Sequence, residues 1–189
     1  RERTWRIERR LPDPQRIAEA IDLLKEAKRP VIIAGGGVHY AEAWELLQEF
    51  AETLGIPVGE TFAGKGAVRN VSPMSLGGHG LEGTGTAASM VSQADLVLCV
   101  GTRLTDFTTG SQSCFQHPDV RFVSINVCGH DAYKQGALPI TADAREALRA
   151  LLQAARDAGV APRPAYLEEI AAARQTWSDL LRREVFTKR

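Results

Sequence analysis

Val31-Ile32-Ile33-Ala34-Gly35-Gly36-Gly37 is the stretch that decides how this chain folds. An apolar run rich in β-branched residues flows straight into three glycines, and a helical pattern resumes from Ala41. A buried parallel strand that turns sharply into a crossover helix is written this way, and such a turn lets a phosphate approach backbone N–H groups. Glycine also serves a tight strand-to-helix turn that holds no ligand. The residues leave both readings open.

The same grammar continues on either side. Asp13-Pro14 reads as an N-cap with proline at the first helical position, and Ile17, Ile21 and Leu24 recur on one face to about Lys28. Trp44, Leu47, Ala51 and Leu54 predict the buried stripe of the next helix, which Gly55 stops. Ile56–Thr61, Asp95–Gly101 and Phe122–Val127 read as further strands, with a short edge strand at Pro139–Thr141. Thr61 to Gly83 has no clear period and is expected to be a long loop of the functional kind. Thr84, Ala87, Ala88 and Val91 predict a short helix. Asp143 with Glu146 predicts an acidic capping box ahead of Leu148, Leu151, Leu152 and Ala155. Pro164 opens a last helix with Leu167, Ile170, Trp177 and Leu181 on one side. Apolar strands alternating with amphipathic helices predict an α/β fold of three layers, a mostly parallel sheet with helices on both faces.

Composition narrows the function. The chain has 189 residues, 44% hydrophobic and 24% charged, with 23 Lys+Arg against 23 Asp+Glu. These values suit one compact domain and lack the basic excess of a nucleic-acid binder. No apolar stretch reaches the roughly 20 residues that span a bilayer, so no membrane partner is expected. Cys99, Cys114 and Cys128 form no CxxC pair, which predicts reduced thiols and a cytoplasmic location, with Cys99 in the core.

Ligands of open α/β sheets bind beyond the carboxyl ends of the strands. Gly35–His39, the glycine-rich stretch to Gly83 and Gly101–Gly110 occupy that position. Arg103 could clamp a phosphate or carboxylate, or simply pair with Asp106 to order its loop. Gly78-His79-Gly80-Leu81-Glu82-Gly83 is a literal GxGxxG, but Ser72–Leu76 before it is not a strand pattern, so it is read as a flexible cleft-lining loop. Glu60 is expected to be a solvated strand-end residue rather than a ribose ligand. Glu42, Glu45 and Glu49 read as a solvated helix face. His39, His79, His117 and His130 show no metal-ligand spacing, and no serine sits in a nucleophile elbow. No catalytic residue and no metal ligand is assigned.

Val31–Gly37, Leu76–Gly80, Ala94–Leu98 and Gly101-Thr102-Arg103 with Asp106 and Thr109-Gly110 together resemble the central domain of thiamine-diphosphate-dependent enzymes of the acetolactate synthase-like superfamily. Val100–Ser111 with Phe115, Asn126 and Asp131–Lys134 is most similar to the branch that hydrolyses 3D-(3,5/4)-trihydroxycyclohexane-1,2-dione in inositol catabolism. The resemblance spans roughly residues 5 to 185. It implies a Rossmann-like central domain at 13–183, between linkers 1–12 and 184–189. The pyrimidine-binding and pyrophosphate-binding domains, which carry thiamine diphosphate and magnesium, would be missing partners, and the full protein a homo-oligomer. The parent would cleave a ring C–C bond to give 5-deoxy-glucuronate, while this segment alone would be inactive. In flavin- or ADP-binding relatives a nucleotide lies at these strand ends, where Gly35, Gly36, Gly37, Gly101, Thr102 and Arg103 align as cofactor-binding positions. Phe107-Thr108 departs from the flavin pattern, so FAD or ADP is not expected here. Alternatives are an acetolactate synthase-like FAD- or ADP-binding domain and a stand-alone nucleotide-binding module. A sirtuin-like deacylase would need four zinc-binding cysteines, against three unpaired ones. Gly36→Val is expected to crowd the turn.

Overall fold

The computed structural model describes residues 8–185; residues 1–7 and 186–189, the greater part of both expected linkers, lie outside the described residues. Strands β1 (Pro30–Ala34), β2 (Val58–Glu60), β3 (Ser75–Gly78), β4 (Leu96–Val100), β5 (Arg121–Ile125) and β6 (Leu138–Ile140) form one sheet. Their order is β3-β2-β1-β4-β5-β6 and every pairing is parallel. The helices are α1 (Pro14–Glu26), α2 (Gly37–Tyr40), α3 (Trp44–Leu54), α4 (Gly85–Ser92), α5 (Asp106–Thr109), α6 (Gly129–Ala132), α7 (Ala144–Asp157) and α8 (Pro164–Glu184).

Every residue of β1 and β4 is buried, so both faces of the sheet are covered, as continuous apolar strands require. Helices α1 and α3 pack against α7, and α4 packs against α8. The expected three-layer α/β architecture is what forms. Asp13 caps α1 through the Gln15 N–H, and Gly55 ends α3 in the left-handed region with φ of 62°. At the β1 entry, the Asp95 carboxylate accepts the Lys28 and Arg29 N–H groups at 2.6 and 2.9 Å. Cys99 is in the core, and burial pushes its thiol up to about 12.

Several local readings are corrected. The helical pattern expected from Ala41 starts later, at Trp44 as α3; the short helix α2 ends before it, and Glu42 adopts a positive φ of 52° between the two. Trp44 opens α3 and stays 42% exposed, while Phe50 supplies the buried bulk. The second strand is shorter than Ile56–Thr61. Ser75–Gly78 is a strand despite its weak propensity, because pairing with β2 and a cap from the returning chain make one. The Thr84 hydroxyl donates to the Leu76 carbonyl at 2.7 Å, and the Thr84 N–H donates to Gly78 at 2.8 Å. The GxGxxG therefore does leave a strand, against the sequence expectation.

The capping box is one-sided. Asp143 accepts from Arg145 and Glu146 N–H groups, but Glu146 turns to Arg149 and the Asp143 N–H goes to the Arg10 carbonyl. Glu42 and Glu49 face solvent as expected, and there they pair with Arg9, Arg145 and Arg156.

Candidate functional site

Chain direction across the sheet reverses between β1 and β4, since β1 leads outward to β2 and β3 while β4 leads to β5 and β6. The loops leaving β1 and β4 diverge there and open a crevice at the carboxyl ends of the strands. Its volume is about 1230 Å³, above the roughly 300–1,000 Å³ of ordinary ligand pockets.

Five of the six expected groove residues, Gly36, Gly37, Gly101, Thr102 and Arg103, line this crevice. Gly35 lies beneath it, in contact with the β4 turn. The Gly35 N–H donates to Val100 at 2.8 Å and the Gly37 N–H to Gly101 at 2.9 Å. A Cβ on Gly35 would stand 2.4 Å from the Gly101 carbonyl oxygen, and one on Gly37 would stand 2.6 Å from Gly101 Cα. The glycines are thus needed first so that two backbones can touch, and two of their three N–H groups are already spent. Gly36 is less constrained than expected: its Cβ would meet Ala63 at 3.3 Å.

The β2 end behaves differently from the sequence reading. Glu60 is 1% exposed, not solvated. One carboxylate oxygen accepts the Gly66 and Val68 N–H groups at 2.9 and 3.1 Å, and the other accepts Lys65 Nζ at 3.0 Å. It organises the loop 61–70, whose Phe62 stands at the crevice mouth. Both carboxylate oxygens thus already serve the 61–70 loop.

The β3–α4 loop carries His79, 6% exposed, with Nε2 buried and without a hydrogen-bond partner. Its ring lies 6.0 Å from that of Phe115, which meets Phe122 edge-on. Burial lowers its pKa to about 4, with a small opposing pull from the Thr108 backbone. The unfolded imidazole protonates near its ordinary 6.5, so acid favours the unfolded chain. The stability that neutral His79 contributes is complete above about pH 6.5 and is lost as pH falls toward 4, by up to about 3 kcal/mol. His79→Phe should flatten the melting temperature against pH across that window relative to the parent protein. An unchanged slope would show that His79 is not the group responsible.

Carboxylates of the lining are largely engaged: Glu60 with Lys65, Asp131 with Lys134 at 2.7 Å, Asp143 with Arg9 at 3.1 Å. Among the described residues Arg103 has no carboxylate partner. The alternative of an Arg103–Asp106 pair is not what forms. Tyr40, Phe62, Leu81, Phe107 and Val127 are all at least 66% exposed and rim the opening. That apolar rim had no periodic signal in the sequence, because its members come from five separate segments of the chain.

Residues 17–151 match the family model described as thiamine pyrophosphate enzyme, central domain. This chain belongs to that family. It is 48% identical over 178 residues to 3D-(3,5/4)-trihydroxycyclohexane-1,2-dione hydrolase 2 of a Bacillus cereus strain, covering 94% of this chain and 27% of the relative. It is 46% identical over 181 residues to the 3D-(3,5/4)-trihydroxycyclohexane-1,2-dione hydrolase of Bacillus anthracis, covering 96% and 28%. The chain therefore spans little more than a quarter of the length of the relatives it matches.

The family is one of thiamine-diphosphate-dependent enzymes, which makes the fit of that cofactor a question for these residues. Among the described residues no three His, Cys, Asp or Glu side chains come together as metal ligands. The one fully buried carboxylate of the crevice is committed to loop N–H groups. The described residues offer no ligand cluster for a magnesium-bound diphosphate, and no step is derived through it. Among the described residues no helix is long and apolar enough to cross a membrane.

Proposed function

We propose that this chain is the noncatalytic central part of a longer thiamine-diphosphate-dependent hydrolase. That parent opens the ring of 3D-trihydroxycyclohexane-1,2-dione by C–C cleavage, giving 5-deoxy-glucuronate. The observation that carries the reading is identity of 46–48% along 94–96% of the chain to proteins with that hydrolase name. Residues 13–183 act as the domain and 1–12 and 184–189 as linkers. Pyrimidine- and pyrophosphate-binding domains of the same polypeptide supply thiamine diphosphate and magnesium, in a cytoplasmic homo-oligomer that works without flavin. The departure of Phe107-Thr108 from the flavin pattern supports that last point.

The test is calorimetry and turnover on two proteins. The 189-residue chain should give no binding heat with thiamine diphosphate and magnesium and no product from the dione. A chain extended by the flanking domains should give both. Tight binding or turnover by the 189-residue chain overturns the proposal.

A second reading rests on Arg103, which has no carboxylate partner among the described residues, at the mouth of a 1230 Å³ crevice. A small nucleotide such as ADP occupies the groove, its base against the apolar rim and its phosphates toward Arg103, with Gly36, Gly37, Gly101 and Thr102 as the floor.

A further inference from the structure

The chain ahead of α1 is tied down at a point of which its own sequence gives no sign. Residues 8–12 are exposed or half-buried, yet two of them are fastened to distant elements. Arg9 Nη1 donates to the Ala41 carbonyl at 2.8 Å and to the two Asp143 carboxylate oxygens at 3.3 and 3.1 Å. Arg9 Nη2 reaches Glu42 at 3.4 Å, and Arg145 pairs with the same carboxylate oxygen at 3.5 Å. The Arg10 carbonyl accepts the Asp143 N–H at 2.9 Å. One guanidinium therefore joins the C-cap of α2 to the N-cap of α7, from 32 and 134 residues away.

Both anchors are themselves fixed. Helix C-termini leave carbonyls without intrahelical partners, and basic side chains take them. Asp143 is buried because it caps α7 through the Arg145 and Glu146 N–H groups, so it cannot swing away with the segment it holds. Glu8 lines the crevice together with Tyr40, Ala41 and Asp143, so the chain runs along the crevice edge between α2 and α7. Ordering part of a tether removes conformational freedom from whatever the tether carries. We propose that Glu8–Arg10 is a strap buckled by Arg9, which fixes where the preceding part of the longer polypeptide joins this domain. What this says of the preceding part rests on the function proposed above; the buckle belongs to this chain alone. Residues 8–10 of the expected linker are then an edge of the domain.

Hydrogen exchange on the 189-residue protein reads the buckle at the Asp143 amide. Arg9→Met should speed that amide about tenfold, the scale of a lost charge-assisted hydrogen bond. The amides of Leu148 and Leu151 inside α7 should not change, which separates release of the strap from loss of the helix. Arg9→Lys should keep most of the protection, because a single nitrogen makes three of the four Arg9 contacts. Small-angle scattering on the chain extended by its flanking domains reads the positioning. There Arg9→Met should enlarge the radius of gyration while the melting temperature stays that of the parent. An Asp143 amide indifferent to Arg9→Met overturns the strap. Faster exchange with an unchanged scattering profile overturns the positioning role and leaves the buckle standing. An extended chain that neither binds thiamine diphosphate nor turns over the dione overturns the proposed function and the interdomain role with it, whereas the exchange result still decides the buckle.

Discussion

Gly35→Val should cost on the order of 4 kcal/mol or more, a large share of what a domain of this kind has. The first atom of any side chain would lie 2.4 Å from the Gly101 carbonyl oxygen, 2.6 Å from Thr102 Cα and 2.7 Å from Thr102 Cβ. Two of these are backbone atoms of the β4 turn, so no rotamer change relieves the overlap. Movement of that turn would also stretch the Gly35 N–H bond to Val100 at 2.8 Å and the Gly37 bond to Gly101 at 2.9 Å. Urea unfolding is the measurement, with Gly36→Ala as the control. Its Cβ has Ala63 Cβ and the Ala63 carbonyl oxygen at 3.3 Å, and a shift of a few tenths of an ångström accommodates it for about 1 kcal/mol. Equal midpoints for the two variants would mean that the turns do not touch as described. The expectation that valine at Gly36 crowds the turn is thereby ranked below the same change at Gly35.

Glu60→Ala carries the second large effect, about 2–5 kcal/mol, from two orphaned loop N–H groups and the space left behind. Little of that comes from Lys65, whose side chain is 59% exposed, where ion pairs are weak. Glu60→Gln separates the contributions. An amide oxygen facing Gly66 and Val68 keeps both N–H bonds, and only the lysine contact is lost. The alanine variant should therefore be much less stable than the glutamine variant. Hydrogen exchange at the Gly66 and Val68 amides should accelerate most in the alanine variant. If the two variants melt alike, the carboxylate is not the organiser of the loop 61–70.

What the sequence determined by itself was the set of strands that carry a continuous apolar run, the helices with a one-sided stripe, and the parallel α/β class that follows. Those signals are local: β1, β4 and β5 each announce burial within a single short run, and Asp13 and Gly55 mark helix ends by their own chemistry. The segments Gly35–His39 and Gly101–Gly110 were legible as strand-end loops for the same reason, since they follow such strands directly. Only the tertiary structure decided the rest. Ser75–Gly78 is a strand because β2 lies beside it. Glu60 is buried because a loop six to eight residues later folds its N–H groups onto the carboxylate. Arg103 has no carboxylate partner among the described residues, while Asn126 and Lys134, 24 and 31 residues from the carbonyls they hold, fix the backbone around it. Contacts between distant segments leave no periodicity in the chain, because nothing about either partner's neighbours depends on the other until the sheet brings them together.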